Sequence, residues 1–370
     1  MDSSYFMPTR VIIGDDCIFS NRALLKDLGE KALIVSGKSS AKANGSLADM
    51  ARALEANGQS SFLYDSVMSN PTVDCIYEAA EAVKREGCDF VVGLGGGSPL
   101  DAAKGAAVLA LNPVEKSGLF SAAFTRALPI VAVPTTAGTG SEVTPTAVLT
   151  NHAAKTKTSL KFPALFPRFA FLDAKYTLGL SRATTINTAV DALTHAVEGM
   201  LSRTAGALTD TLAKESVAVV AGCFGALSGD RELDMGIRQK LLYAAMLAGM
   251  VIANTGTNVV HSMGYSLTYH RNIDHGRANG LIFAEFLRAI EQKEKNSDSK
   301  RIPVILSCLK VRSPDEFAGI LDGLFGKKET FTAAELEQYA EQASKARSIA
   351  NGIFRFEKAE LLDIFKKSIG

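Results

Sequence analysis

Asp191 and His195 stand four residues apart in a run with helical periodicity, Ile186-Asn187-Thr188-Ala189-Val190-Asp191-Ala192-Leu193-Thr194-His195-Ala196-Val197-Glu198. Positions i and i+4 share one helix face, one turn apart. Such a pair can offer an oxygen and a nitrogen to a single ion. His261 and His275 lie in later segments and are available to complete the shell. With His195 they make three of only five histidines in the chain. Three imidazoles and one carboxylate suit Fe²⁺ or Zn²⁺ better than Ca²⁺ or Mg²⁺. The same spacing also fits a structural hydrogen bond, and it lacks the internal base of a HExxH helix. Spacing alone leaves both readings open.

The elements that must position these residues fall into two halves. At 370 residues the chain exceeds the size at which one core stops growing, so two domains are expected. Apolar β-branched runs at 10–13, 32–36, 62–64, 90–93, 130–134 and 170–172 alternate with helical segments at 46–57, 75–86 and 100–111. That βαβ rhythm predicts a largely parallel, helix-covered sheet over residues 1–178. After Asp173 no convincing strand remains, and long amphipathic segments from about 182 onward predict an all-helical domain over 179–370. The charged stretch from Glu291 to Arg301 reads as a surface turn or helix end.

Composition narrows the functional classes. Net charge is +1 with no basic stripe, which argues against nucleic acid. Five cysteines with no CxxC pair suit reduced thiols and a cytoplasmic location. The first residues show no basic stretch leading into an apolar run, so no signal peptide is expected. The apolar runs 217–227 and 241–253 are shorter than the roughly 20 residues a bilayer takes, so no membrane partner is expected.

Two turns at the ends of predicted strands suit a nucleotide. Gly93-Leu94-Gly95-Gly96-Gly97-Ser98-Pro99-Leu100-Asp101 follows a strand and opens a helix. Backbone N–H groups and the helix dipole then meet where a pyrophosphate would sit, and Pro99 suits the first helical turn. This is neither GxGxxG, since Ser98 replaces the last glycine, nor a Walker loop. Pro134-Thr135-Thr136-Ala137-Gly138-Thr139-Gly140-Ser141 follows the next strand and offers hydroxyl donors. Ligands of open α/β sheets bind at the carboxyl ends of strands.

With these motifs together, the chain resembles the iron-containing (group III) alcohol dehydrogenase family nearly end to end, in the branch near 1,3-propanediol and short-chain alcohol dehydrogenases. The resemblance is carried by Gly95–Lys104, Thr135–Thr144, Asp191–Glu198 and His275–Asn279, in the family's order. It implies a dehydroquinate synthase-like fold: an α/β dinucleotide-binding domain followed by an all-α metal-binding domain. It implies Asp191, His195, His261 and His275 as metal ligands. It further implies cofactor contacts from Asn70, Gly96, Gly97, Ser98, Asp101, Thr135, Thr136, Thr139, Ser141 and Lys157. The expected reaction is hydride transfer between a small alcohol or its aldehyde or ketone and NAD(P)(H), aided by Fe²⁺ or alternatively Zn²⁺. Related chemistry on the same fold is kept as alternatives: a metal-independent reductase of the maleylacetate reductase type, or a lyase of the dehydroquinate synthase type. A homodimer is expected.

Three expectations depart from, or refine, that pattern. Many members carry a second histidine four residues after the ligand matched by His261; here Tyr265 stands there. A phenol is a poor base at neutral pH and a competent hydrogen-bond donor, so Tyr265 and the nearby His270 are the proton-transfer candidates. The first βα turn, Ser36-Gly37-Lys38-Ser39-Ser40, has no acid between 31 and 48 to bond a ribose 2′-hydroxyl. It therefore predicts NADP(H) over NAD(H), with Ser36, Gly37, Ser39 and Ser40 at the phosphate. Val148, Phe162, Met250 and Phe283 are apolar candidates for the substrate pocket.

Overall fold

Three strands buried almost throughout, Lys31–Gly37, Phe90–Gly95 and Ile130–Pro134, form the centre of the first half of the molecule. The computed structural model describes residues 4–370, and residues 7–180 form one compact unit. Six strands pair wholly in parallel: β1 (Arg10–Ile13), β2 (Lys31–Gly37), β3 (Ser60–Val67), β4 (Phe90–Gly95), β5 (Ile130–Pro134) and β8 (Phe169–Leu172). A separate antiparallel hairpin joins β6 (Thr146–Asn151) and β7 (Thr156–Lys161). The helices are α1 (Cys17–Ser20), α2 (Ser40–Ala43), α3 (Ser46–Ala56), α4 (Val73–Glu86) and α5 (Gly97–Leu111). Successive strand residues point to opposite faces. Leu33, Val35 and Val91 pack in one core with Ile76 and Ala103, while Ala32, Ile34 and Val92 pack in the other with Ile18 and Met50. A sheet covered on both faces explains the unbroken apolar runs of β2, β4 and β5.

The strand order is β1-β8-β5-β4-β2-β3. Connections leaving β2 and β4 therefore run in opposite directions, which makes their carboxyl ends the switch point where ligands bind in such sheets. The turn Ser36–Ser40 and the turn Gly95–Ser98 both stand there. Every expected strand is present. The β6–β7 hairpin was not among the expected strands, because its Thr-rich, half-exposed residues carry little apolar alternation.

Residues 4–6 and 181–370 form the second unit. Its helices are α6 (Arg182–Met200), α7 (Ala207–Ala221), α8 (Phe224–Ser228), α9 (Met235–Thr255), α10 (Val259–Arg271), α11 (His275–Glu294), α12 (Arg301–Leu309), α13 (Pro314–Phe325), α14 (Ala333–Ser344) and α15 (Lys358–Ile369). Side chains start them: Ser181, Asp234 and Ser313 each accept an N–H of the first turn, and Thr332 with Glu335 forms a capping box. Among the described residues, the unit's one β-type contact is the isolated bridge between Ser202 and Gly352.

One expectation is corrected here. The segments 207–228 and 235–255 are long and apolar enough, by length and composition, to cross a bilayer. The apolar runs read in the sequence stopped at flanking charges that the helices continue through. Arg238 on α9 is buried and donates to Thr185 Oγ1. Along its length α9 packs on α6 and α7, as a core helix does.

Candidate functional site

α6 is buried from Thr185 to Met200 apart from Thr188, and it carries Asp191 and His195 on one face. α10 brings His261 and α11 brings His275 to the same place. Donor atoms of Asp191, His261 and His275 all lie within 4.8 Å of one another. Asp191 Oδ1 is 3.7 Å from His261 Nε2 and 3.9 Å from His275 Nε2. Both separations exceed hydrogen-bond range. Both suit donors that share one ion through bonds of about 2.0–2.2 Å. His195 stacks its ring on His261 with centroids 4.4 Å apart.

Two further observations test whether these residues fit a metal. His261 Nε2 is buried and makes no hydrogen bond. An unmet polar atom in a core is costly unless something accepts it. Burial alone would raise the Asp191 carboxyl, yet His195, His275 and His261 outweigh it and hold the group well below the usual carboxylate range. Burial would lower the His261 imidazole, but the Glu198 and Asp191 carboxylates raise it to about 9. An anionic oxygen beside imidazole nitrogens is the donor set of a borderline divalent cation, whose binding displaces the imidazole proton.

The surrounding residues explain how the set is held. Glu198, at the end of the α6 motif, is a partner that spacing alone does not reveal. It is fully buried, with Oε2 2.5 Å from His261 Nδ1, and Oε1 accepts Val260 N–H at 2.6 Å. Asn279 Nδ2 donates to Asp191 Oδ1 at 3.1 Å. Gly276 lets α11 close onto α6: a Cβ there would lie 1.8 Å from the Asn187 carbonyl oxygen. Asn187 in turn donates to Asp274 Oδ2, just before His275.

Tyr265 stands at the edge of this cluster, half-buried, with its ring stacked on His275 at 5.3 Å. His270 is not brought there. It lies nine residues beyond His261, on the opposite face of α10. It stacks on Tyr339 and pairs with Gln342 Oε1 at 3.1 Å, both on α14. The helix phase, available from the sequence, excludes it from the metal cluster.

In the α/β unit the predicted nucleotide residues gather in two places. Asn70 Oδ1 accepts Lys157 Nζ at 2.8 Å, and Asn70 N–H donates to Ser98 Oγ at 3.1 Å. Asn70 takes the left-handed conformation, φ 60°, which asparagine tolerates. The glycine turn abuts the threonine turn, since a Cβ on Gly97 would lie 2.6 Å from Thr139 Cγ2. Thr135 and Ser141 are buried, and Thr136 follows Thr135 at the end of β5. Asp101 Oδ1 accepts the Ser141 hydroxyl at 2.7 Å, and Oδ2 accepts Val148 N–H at 2.9 Å. Ser36 is buried, Gly37 closes β2, and Ser39 and Ser40 are exposed. Gly96 precedes α5 as its N-cap residue.

The apolar pocket expectations fare differently. Phe283 is fully buried edge-on against Phe317, and Phe162 packs edge-on against Phe124. Both fill cores, because bulky aromatics reach packing partners wherever a helix or hairpin crosses. Val148 supports Asp101 through its backbone, and Met250 is half-buried on α9.

Comparison with known proteins gives matches over nearly the whole chain. A family model described as iron-containing alcohol dehydrogenase matches residues 8–174. A second, described as the C-terminal part of the Fe-containing alcohol dehydrogenase family, matches 185–369. Lactaldehyde reductase of Escherichia coli K12 is 34% identical over 294 residues, 76% of each chain. 1,3-Propanediol dehydrogenase of Citrobacter freundii is 33% identical over 316 residues, 80% of this chain and 76% of that one. The crystal structure of an iron-containing alcohol dehydrogenase from Thermotoga maritima superposes with a TM-score of 0.91, at 35% identity and full coverage of both chains.

Proposed function

The chain belongs to the iron-containing alcohol dehydrogenase family, and from that premise we propose how its residues divide the work. It is an oxidoreductase that interconverts an alcohol and its aldehyde or ketone by hydride transfer with a nicotinamide cofactor. Residues 1–178 take the dinucleotide, NADP(H) in preference to NAD(H). Residues 179–370 take Fe²⁺, or alternatively Zn²⁺, on Asp191, His195, His261 and His275. The substrate is a small alcohol or aldehyde, the class to which the names of its relatives belong. A cytoplasmic homodimer completes the reading. The observation that carries it is the convergence of the Asp191, His261 and His275 donors within 4.8 Å.

When bound, the ion supplies Lewis acidity, polarising a carbonyl oxygen and stabilising negative charge on it during reduction. Asp191 contributes the set's one anionic donor, so most of that acidity is kept. Glu198 orients His261 so that Nε2 faces the ligand set and Nδ1 faces away. Tyr265, at the rim, is placed to donate a hydrogen bond to a substrate oxygen or to a water that carries the proton. In the α/β unit, Gly96, Gly97 and Ser98 offer backbone N–H groups to the pyrophosphate, with Thr135, Thr136 and Thr139 lining the adjoining turn. Lys157 and Asn70 serve as polar partners of the nucleotide, a role supported by their mutual hydrogen bond beside Ser98. Gly37, Ser39 and Ser40, with no carboxylate of their own, leave room for a 2′-phosphate.

The test is turnover of a panel of small aldehydes and diols with NADPH and NADH, with Fe²⁺ or Zn²⁺ added. NADPH consumption that depends on metal is expected. A preference for NADH of about tenfold in kcat/KM, roughly 1.4 kcal/mol, overturns the cofactor assignment. Undiminished turnover after exhaustive chelation overturns the metal assignment.

A further inference from the structure

Lys104 has no exposed surface, yet it carries an ammonium group. It lies on α5, two turns beyond the glycine loop that opens that helix. Its Nζ donates to Ser141 O and Ser141 Oγ at 2.7 Å each, to Thr146 O at 2.8 Å, and at longer range to Thr144 Oγ1 at 3.2 Å. Asp101, one turn earlier on the same helix face, accepts from Ser141 Oγ and from Val148 N–H. Two charged groups of one helix thus hold the turn 141–144 and the start of the β6 strand from beneath.

We propose that Lys104 is a positioning residue for the nucleotide cofactor, pinning the Ser141–Thr144 turn against the helix that begins at the glycine loop. The proposal rests on the cofactor reading above. Its first support is the hydrogen-bond inventory. An ammonium has three N–H groups, and four acceptors on the turn and the strand that follows it share them, Thr144 Oγ1 among them. Ser141 Oγ accepts from Lys104 and donates to Asp101, so its one proton is spent within the protein. Asp101 has a protein donor on each oxygen. Two side chains that the family resemblance assigns to the ligand therefore direct their hydrogen bonds into the framework.

The second support is cost. Full burial makes an ammonium expensive, and it pushes Lys104 down to about 8 despite the Asp101 and Glu142 carboxylates nearby. Packing alone would be served as well by an apolar side chain of the same length. What Lys104 adds is a fixed arrangement of turn carbonyls and hydroxyls. Ser141 N–H donates to Thr139 Oγ1 at 3.3 Å, and Thr139 lies against Gly97, so the held turn is tied to the spacing of the two nucleotide turns.

The test compares Lys104→Met, Thr144→Val and Thr144→Ser with the wild-type protein. Dissociation constants of NADPH and NADH are read by direct fluorescence titration, with metal content and amide hydrogen exchange of residues 139–146 alongside. In Lys104→Met the dissociation constant of the preferred dinucleotide is expected to rise by about tenfold or more. KM for cofactor should rise more than kcat falls, exchange over 139–146 should quicken, and metal content should not change. If Lys104→Met does not fold, Thr144→Val should weaken binding in the same direction and Thr144→Ser should restore it. Wild-type affinity in folded Lys104→Met, or in Thr144→Val, overturns the proposal. A wild-type protein that binds neither dinucleotide overturns the cofactor reading itself.

Discussion

Glu198 Oε2 lies 2.5 Å from His261 Nδ1, and this contact decides which imidazole nitrogen faces Asp191. Both residues are buried, and the second Glu198 oxygen is taken by Val260 N–H. Glu198→Gln keeps the shape but has only one acceptor for two donors. Its amide then either meets the Val260 N–H or donates to Nδ1, and the latter moves the ring proton to Nε2. Metal affinity is expected to fall by about 10- to 100-fold, the usual cost of losing such an outer partner. Chelator competition measures it, with circular dichroism to show that the fold is retained. Wild-type affinity in folded Glu198→Gln would remove Glu198 from the metal centre's support.

Removing a donor itself should be more severe. His275→Ala leaves Asp191 and His261 without the third donor of the converging set. The purified variant is expected to hold little metal and to show no turnover above background. Metal analysis and NADPH oxidation on one sample check both. Full turnover by a metal-free His275→Ala protein would sink the Lewis-acid mechanism.

Much of this centre was readable in advance because its residues are local signals. Asp191 and His195 share a helix face by spacing alone, and the glycine and threonine turns follow apolar strands that any parallel sheet must bury. What the sequence hid is what depends on three-dimensional approach. Glu198 becomes a partner of His261 only when α6 and α10 cross. Lys104 closes the glycine-loop motif in the sequence, but its partners come into reach only when the turn 141–144 folds over it. The β6–β7 hairpin carried too little hydrophobic alternation to show itself, although it delivers Lys157 to Asn70. His270 shows the converse, since helix phase alone places it opposite His261.

Close helix approach makes Gly276 a stability determinant. Gly276→Ala would put a methyl 1.8 Å from a backbone oxygen of α6, an atom that cannot rotate away. Overpacking of this kind costs about 1–3 kcal/mol, and here it also pushes His275 from Asp191. Gly319, exposed on α13, has nothing within 4 Å of the same position. Gly319→Ala should instead stabilise by about 0.5–1 kcal/mol through helix propensity. Denaturant unfolding should show opposite signs for the two variants. Destabilisation of equal size in both would refute the close-approach argument.

Buried charges beneath the threonine turn give stability a pH signature. Burial raises the Glu142 carboxyl from 4.5 to about 7, against the opposing pull of its own backbone N–H and Lys104. Between these values the folded state holds a proton that the unfolded chain has lost. Stability therefore falls as pH rises from 4.5 to 7, by about 3 kcal/mol in all. Lys104 acts with the opposite sign. Its value is lowered from 10.5 to about 8, so the unfolded chain binds more protons in that window and stability rises with pH there. Glu142→Gln should flatten the first limb and leave the second largely in place. Parallel pH–stability curves for the two proteins would exclude this assignment.

The proposed preference for NADP(H) can be tested at a residue that no window around the first βα turn contains. Asp65 on β3 stands beside Ser36 and Gly37, where the β2–β3 register shifts. It brings to the turn the carboxylate that residues 31–48 lack. Lys42 Nζ lies 2.7 Å from Asp65 Oδ2. The Lys42 hydrogen bond and charge, with a smaller pull from Lys38, hold the Asp65 carboxyl below the usual range. A compensated acid leaves the turn tolerant of a 2′-phosphate, whereas an uncompensated one repels it. Lys42→Ala should therefore lower kcat/KM for NADPH by roughly fivefold and change that for NADH little, since solvated charges interact weakly. Asp65→Asn in the same background should recover most of the loss. High salt should narrow the difference between Lys42→Ala and wild type, because the repulsion acts through solvent. An unchanged NADPH-to-NADH ratio in Lys42→Ala would leave the pair as a surface salt bridge with no part in cofactor choice.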